Sequence, residues 1–335
     1  MFITTTRTLI FLILSCTIAF AIDTKDATLT IYTDRDQNSM LPIFQAFEEK
    51  TGIKINPKFT STNEISNALR ETKIDGPDVL ITQDITPLLL NEDLLYNIPT
   101  TLAKKNNIKI QDANKKLLIT SSYAQVLAYS PKRVKTEENL PKSAFDLLDQ
   151  KWKKKISIAP NNVSFQKFLN NIQIKLNNKT NEFIEGLIAN EAKQYPKDSD
   201  QIRAIENGDV DISLINSFSI IACKAFNHNL SIAQASFSNG DIGNMVFVTG
   251  AGILQKSQKK SLAIRFLHFM LSPATQQYIA SELGEYPAIK GIIKNRIINN
   301  MTYQGELSTD LNFNISDLKK IQNMLIDHRL LREVR

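Results

Sequence analysis

Residues 27–59 constrain the fold more than any other stretch, because the spacing of their apolar side chains changes twice. Residues 28–32 alternate polar and apolar side chains and are rich in β-branched residues, which is typical of a strand. One face of a helix follows, with apolar side chains at helical spacing: Met40, Ile43, Phe44 and Phe47. Alternation returns over residues 53–59. A strand, a helix and a strand in so short a segment predict a parallel pair with a right-handed crossover.

The loop between the first strand and the helix, residues 33–38, is the first candidate ligand site. It holds two carboxylates, an arginine and two amides. In open parallel sheets, ligands bind beyond the carboxyl ends of the strands, where helix starts present backbone N–H groups. Arg35 and Asp36 are therefore candidate ligand residues, and Asn38 or Ser39 is predicted to cap the helix.

Length and composition indicate a globular protein of two lobes. A chain of 335 residues can bury two cores, and 42% apolar with 22% charged residues is typical of soluble proteins. The net charge of +6 is spread along the chain, without the aromatic interleaving or motif that nucleic-acid binding needs. We therefore expect no nucleic-acid partner.

The first 21 residues have the organisation of a cleavable signal peptide. Arg7 supplies the positive charge, residues 9–18 form the apolar region and residues 19–21 form a small-x-small cleavage site. The apolar run is too short to span a bilayer. The residues around Cys16 faintly resemble a lipoprotein box, but the apolar residues that follow it favour ordinary cleavage. We therefore expect an exported protein.

Few residues have the spacing that catalysis or a soft-metal site requires. Cys223 is the only cysteine after the signal peptide, and the histidines, His228, His268 and His328, lie far apart in the sequence. This pattern disfavours a zinc site. The sequence also lacks a Ser-His-Asp arrangement and a Gly-rich phosphate loop, so we do not expect an enzyme.

Several segments resemble the ferric-ion-binding branch of the periplasmic solute-binding proteins of ABC importers. They include residues 47–55 (FEEKTGIKI), 140–158, 204–219, 243–254 and 272–278. The resemblance covers nearly all of residues 27–330. It implies a type II two-lobed α/β fold, in which each lobe is a mainly parallel sheet flanked by helices and hinge strands join the lobes. It also implies a monomer in the periplasm.

The resemblance implies boundaries for the two lobes. Lobe 1 is expected to comprise residues 27–124 with 246–275, and lobe 2 residues 125–245 with 276–335. The hinge is expected near residues 124–130 and 244–252.

Further candidate ligand residues lie at the predicted strand ends and helix starts. Gln83 and Asp84 follow a buried strand of lobe 1. The lobe 2 candidates occupy two places, the start of the helix after residue 160 and the mouth of the strand that ends near residue 215: Asn161, Asn162, Ser164, Asn216, Ser217 and Ser219. We expect the four corners near positions 36, 83, 162 and 217 to meet across one cleft.

The sequence departs from the family's iron ligands wherever it can be aligned with them. Asp36 stands where the family has His, and Gln83 where some members have Glu. The family's paired tyrosines correspond to Phe218 and Ser219, and a further tyrosine corresponds to Phe165. Asp36 is then the candidate metal ligand, and other oxygen donors are available in Asp34, Asp84, Ser219, Tyr123 and Tyr286.

Two cargoes remain open on this evidence. The first is ferric iron or a ferric chelate, with a synergistic anion on the helix start at residues 161–164. The second is a small phosphorylated or carboxylated organic solute, held by Arg35, Ser219 and a helix N-terminus. In both cases the resemblance implies hinge closure around the cargo and delivery to an inner-membrane ABC permease with a separate ATPase, since this chain has no nucleotide-binding loop of its own.

Overall fold

The computed structural model describes residues 27–62, 64–65, 67, 76–104, 116–176, 179–299 and 315–332. The predicted signal peptide, residues 1–21, lies outside these ranges. Within them, no helix combines the length and the apolar character that crossing a membrane would take.

Ten strands form one sheet across the described residues. In chain order they are β1 (Thr28–Thr33), β2 (Lys54–Phe59), β3 (Val79–Thr82), β4 (Leu118–Tyr129), β5 (Ile156–Ile158), β6 (Lys193–Gln194), β7 (Ile212–Asn216), β8 (Ala233–Ala235), β9 (Val246–Ile253) and β10 (Tyr286–Pro287). Their order in the sheet is β2-β1-β3-β9-β4-β7-β5-β6, and β8 and β10 also pair with β4. The outer pairs are parallel, whereas β4 and β9 run antiparallel to their neighbours.

Helices cover both halves of this sheet. They are α1 (Gln37–Thr51), α2 (Thr86–Leu89), α3 (Thr100–Ala103), α4 (Val163–Lys175), α5 (Thr180–Ala189), α6 (Asp198–Asn207), α7 (Ser217–Phe226), α8 (Lys260–Met270), α9 (Pro273–Ser281), α10 (Arg296–Asn299) and α11 (Ile315–Asp327). Short 3-10 helices occupy Glu92–Leu94, Glu137–Asn139, Ala144–Leu148 and Gln150–Trp152.

The predicted parallel unit at the start of the chain is present. Strands β1 and β2 pair in parallel, and α1 crosses between them with its predicted apolar face buried. Gly52 ends α1 in the left-handed conformation, with φ of 73°. The N-cap is Asp36, however, and neither Asn38 nor Ser39. The helix therefore begins earlier than predicted, at Gln37, and the capping carboxylate comes from the candidate ligand loop.

Strand β4 joins the two halves of the sheet by changing its neighbour. Its residues up to Ala124 pair with β9, and its residues from Gln125 onward pair with β7. All twelve of its residues are buried. The change of neighbour falls where the hinge near residues 124–130 is predicted, while the exact lobe boundaries stay a prediction.

One assignment in those boundaries is wrong. Residues 276–288, which the prediction assigns to lobe 2, lie on lobe 1, because β10 pairs with the first part of β4 and the side chains of Ile279 and Ala288 pack in the core that includes Ile31. By contrast, α11 contacts α4, and Ile321 and Leu325 belong to the lobe 2 core. The terminal segment of the chain therefore returns to lobe 1 before it ends on lobe 2.

Candidate functional site

Tyr123 lies on β4 just before the strand changes its neighbour, at the boundary between the two lobes. The ring is buried and makes an edge contact with Phe218 at a centroid distance of 5.1 Å. Burial raises the pKa of the Tyr123 phenol well above its usual value. Four carboxylates raise it further: Asp84, Glu285, Asp198 and Asp34. Because Asp198 belongs to lobe 2 and the other three to lobe 1, the phenol marks the place where the lobes meet.

Asp34 holds the first corner of lobe 1 together. Its Oδ1 accepts a hydrogen bond from the backbone N–H of Gln83 at 2.7 Å, and its Oδ2 accepts one from the hydroxyl of Thr62 at 2.8 Å. Burial raises the pKa of Asp34, although these two bonds oppose the effect. The loop at residues 33–38 and the end of β3 are therefore adjacent, as the sequence predicts.

A buried ion pair joins this corner to β4 and β10. The Nη2 of Arg35 donates to Oε1 of Glu285 at 2.6 Å, and the two side chains are only 3% and 2% exposed. The side-chain amide of Gln83 donates to the same oxygen at 3.2 Å, and the hydroxyl of Ser121 donates to Oε2. Nε and Nη1 of Arg35 find no acceptor among the described residues. Arg35 thus keeps two buried nitrogens, Nε and Nη1, whose N–H groups could donate to a ligand oxygen.

Asp36 does not join the other predicted site residues. Its side chain is exposed, and its Oδ2 accepts hydrogen bonds from the N–H of Ser39 at 2.9 Å and from the Ser39 hydroxyl at 3.1 Å. These bonds satisfy the start of α1. The carboxylate predicted to replace the family's histidine serves as a helix cap in this structure.

Asp198 organises the lobe 2 side. This buried carboxylate accepts from the side-chain amide of Asn162 at 2.8 Å, from the backbone N–H of Asn216 at 2.9 Å and from the hydroxyl of Ser219 at 2.8 Å. Burial raises the pKa of Asp198, and these hydrogen bonds oppose the effect. Three predicted ligand residues therefore converge, on a carboxylate that the sequence analysis did not single out.

The remaining lobe 2 candidates are less central. Ser164 bonds to Oδ1 of Asn162, the N-cap of α4, through its hydroxyl at 2.8 Å and its N–H at 3.2 Å. The Ser217 hydroxyl accepts from the N–H of Ala124 at 3.2 Å, so it ties α7 to β4. Asn161 is exposed next to the cap. The helix starts predicted from the sequence are present, and their small polar side chains mainly satisfy the backbone.

One ion pair connects the lobes directly. The Nζ of Lys167, on α4, lies 2.5 Å from Oδ2 of Asp84 and 2.7 Å from the hydroxyl of Thr86. Burial alone would raise the pKa of Asp84, but the Lys167 charge and the hydrogen bonds from Lys167 and Thr86 outweigh it and lower the pKa. The predicted corners near positions 83 and 162 are thereby linked across the cleft.

The tyrosines and carboxylates offer oxygen, but not in a preformed cluster. Among the described residues, no group of three or more His, Cys, Asp or Glu side chains is placed to hold a metal ion. Tyr286 packs in a core cluster with Ala124 and Val126, and burial raises its pKa to about 12. A cation entering the cleft would therefore have to exchange with existing partners of the carboxylates.

A two-lobed α/β protein with a polar cleft beside a shared strand is, in class, a solute-binding protein of the periplasmic type. Solved structures agree with this class. The chain matches iron-bound HitA from Pseudomonas aeruginosa with a TM-score of 0.75 and 27% identity, over 90% of this chain and 98% of that one. It also matches the periplasmic binding protein AfuA from Actinobacillus pleuropneumoniae, with fructose-6-phosphate bound, with a TM-score of 0.72 and 17% identity, over 91% and 99% of the two chains. The predicted fold class is confirmed.

Residues 76–314 match the family of bacterial extracellular solute-binding proteins, and the chain belongs to that family. A similar relative is the major ferric iron-binding protein of Neisseria meningitidis, 26% identical over 78% of this chain and 81% of the relative. Another is iron uptake protein A2 of Synechocystis, 28% identical over 89% of this chain and 87% of the relative. The family consists of solute-binding proteins, which confirms the expectation that the chain is not an enzyme.

Proposed function

We propose that the chain is the periplasmic solute-binding component of an ABC importer and that its cargo is ferric iron or a ferric chelate. The cleft beside Tyr123 would hold the cargo. The single observation that carries this assignment is the grouping of carboxylates around Gln83: Asp34 and Glu285 both accept hydrogen bonds from Gln83, and Asp84 beside it meets Lys167 of lobe 2. Relatives named for ferric iron binding and iron uptake support the same cargo.

The charges of the cleft favour a cation over an anion. Asp34, Asp84, Asp198 and Glu285 face two basic side chains, Arg35 and Lys167. When all six side chains are ionised, the four carboxylates exceed the two cations by two negative charges. Hard trivalent cations prefer anionic oxygen, which carboxylates supply. A cationic metal species would therefore be attracted into the cleft, whereas a multiply charged anion would be repelled.

The missing tyrosines change how the metal would be held. Phe218 packs against Tyr123, and Phe165 is buried in the lobe 2 core, so neither position offers oxygen. Tyr123 is protonated in the metal-free protein, because burial and nearby carboxylates raise its pKa, and its ring packs between Phe218 and Phe247. Carboxylate oxygens, together with oxygens of a chelator, would then be the ligands. We expect the ferric complex to lack the visible phenolate-to-iron absorption band.

Function would follow from closure of the two lobes. Cargo that contacts both lobes stabilises the closed form by its differential contacts. The change of neighbour along β4 provides a connection about which the lobes could rotate. The closed protein would dock as a monomer on a membrane permease driven by a separate ATPase.

A second cargo has one observation of its own in its favour. Nε and Nη1 of Arg35 are buried donors that find no acceptor among the described residues. A carboxylate or phosphate oxygen could accept from either nitrogen, and the positive charge of the guanidinium favours such an oxyanion. A small phosphorylated or carboxylated organic solute is therefore the alternative.

Calorimetric titration of metal-free protein with ferric nitrilotriacetate, whose 1:1 complex is close to neutral, and with fructose 6-phosphate tests the two cargoes. We expect the ferric chelate to bind and the sugar phosphate not to bind. Asp34→Asn should weaken the ferric affinity at least about tenfold, and Asp93→Asn, at an exposed acid of lobe 1, should leave it unchanged. Binding of the sugar phosphate alone, with its loss in Arg35→Met, would establish the alternative.

A further inference from the structure

The carboxylate of Asp198 lies where an external anion was expected. The predicted anion site is the helix start at residues 161–164, and the side-chain amide of its N-cap residue, Asn162, donates to Asp198 Oδ1 at 2.8 Å. The first N–H group of the helix with a side-chain acceptor is that of Ser164, which donates to Oδ1 of Asn162. Two donors of this helix start, the side-chain amide of Asn162 and the N–H of Ser164, are therefore already engaged within the protein.

Asp198 also meets the start of a second helix. Helix α7 has Asn216 as its N-cap residue, and the Asn216 side chain makes no capping hydrogen bond. Oδ2 of Asp198 accepts instead from the backbone N–H of Asn216 at 2.9 Å and from the hydroxyl of Ser219 at 2.8 Å. A helix start carries partial positive charge, which a carboxylate complements. One buried side chain, 6% exposed, thus receives donors from the starts of both α4 and α7.

An oxyanion bound between these helix starts would need the same set of contacts. It would accept from an amide, a backbone N–H and a hydroxyl, and it would place negative charge at the positive ends of two helices. Asp198 makes each of these contacts through its two oxygens. Because the carboxylate is attached to α6, it is present whether or not cargo is bound.

We infer that Asp198 is a built-in anion that replaces a synergistic anion on the lobe 2 side, so that cargo binds there without an external oxyanion. The inference rests on the proposed function, which identifies the cleft as the cargo site. It makes Asp198 a residue that determines specificity, because its charge is fixed in the protein and is not brought by phosphate or carbonate.

Chemical rescue tests the inference without iron. Asp198→Ala removes the carboxylate and leaves space beside its three donors. We expect this variant to unfold at a lower temperature than the wild type, and formate to raise its unfolding midpoint by at least about 3 °C relative to chloride at equal ionic strength. A variant that folds only when formate is present would give the same answer. Failure of formate to stabilise the variant would contradict the inference.

Two controls make the result specific. The wild type should gain no stability from formate or inorganic phosphate beyond that given by chloride, since its own carboxylate fills the site. Asp209→Ala, at an exposed acid of the same lobe, should behave as the wild type does. Stabilisation of Arg35→Met by phosphate, in a variant that lacks the other group proposed to bind an oxyanion, would overturn the inference even if Asp198→Ala does not fold. Because no metal is used, failure of the iron assignment would leave this test unaffected.

Discussion

The ammonium of Lys167 lies 2.5 Å from a carboxylate oxygen of Asp84, and the two residues belong to different lobes. Their side chains are 12% and 16% exposed, so water screens the pair only partly. A cation of the protein thus already bridges the lobes in the cleft where cargo is proposed to bind. Cargo that binds Asp84 would have to displace Lys167, which makes the ion pair a competitor of a cationic guest.

Removing Lys167 should destabilise the arrangement in which the two lobes are joined by this ion pair. Lys167→Met leaves Asp84 without its counter-charge, and we expect the free energy of unfolding to fall by about 3 kcal/mol. The double variant Asp84→Asn/Lys167→Met should lose less than the sum of the two single variants, because the same interaction is removed only once. Urea denaturation measures both effects, and small-angle scattering should show a larger radius of gyration for metal-free Lys167→Met.

Lys175→Met is the matched control, since Lys175 is an exposed lysine of the same helix. It should change neither stability nor radius. Equal losses in the two lysine variants would show that the ion pair contributes nothing specific.

The Asp84 pair should persist in mildly acidic solution. Its folded-state pKa lies below the ordinary value despite burial, because Lys167 and Thr86 favour the charged form. A carboxylate whose pKa is lower in the folded than in the unfolded state contributes to stability. The contribution is complete above the unfolded-state pKa of about 3.9, and it is lost as the pH falls through the lower folded-state pKa. The difference in unfolding free energy between wild type and Asp84→Asn should therefore be constant from pH 7 to about pH 5 and shrink only below about pH 4. A difference that already shrinks near pH 6 would contradict this assignment.

Two substitutions at Asp36 separate a helix cap from a metal ligand. Asp36→Ala removes the acceptor for the Ser39 N–H, and we expect a loss of about 1 kcal/mol of unfolding free energy. Asp36→Ser keeps a capping oxygen and should lose little. Ferric affinity, measured by calorimetry, should be the same in both variants and the wild type. A large loss of affinity in both would restore Asp36 as a ligand.

Gly284 positions Glu285, and only glycine fits there. Its φ is +67°, and an added Cβ would overlap the side chain of Ile221. Gly240 provides the control, because its φ is +80° but nothing lies within 4 Å of an added Cβ. Both substitutions place alanine in the left-handed backbone region, and only the one at Gly284 also creates a steric overlap. Gly284→Ala should therefore lower the unfolding free energy by about 1–3 kcal/mol more than Gly240→Ala. Equal losses in chemical denaturation would mean that the Ile221 side chain moves aside at no cost.

Local patterns predicted the parts of the site that depend on neighbouring residues. The apolar spacing of residues 40–47 located α1, and polar residues after buried strands located Gln83 and Asn216. The partners of these residues could not be predicted in the same way. Glu285 pairs with Arg35 across 250 positions, and Lys167 pairs with Asp84 across 83. Nothing in the immediate sequence of Glu285 or Lys167 distinguishes them from solvated charges.

The buried position of Asp198 could not be predicted from its neighbouring residues either. Asp198 begins a helix and follows a lysine, a setting typical of an exposed acid in a first turn. Only the packing of α4 and α7 against it converts it into a buried acceptor. For Asp36 the local pattern was incomplete in another way, because its place in the ligand loop concealed its role as a helix cap.

Strand β4 places Tyr123 one residue before Ala124, and the strand passes to its second neighbour at Gln125. The peptide that joins Ala124 to Gln125 is therefore one of the places where the chain crosses between the lobes, and a twist of one lobe against the other would pass through it. The phenol at position 123 must then turn relative to one set of carboxylates whenever that twist occurs. The fluorine NMR signal of a fluorinated tyrosine at this position would therefore report a change in the angle between the lobes, whatever the cargo is.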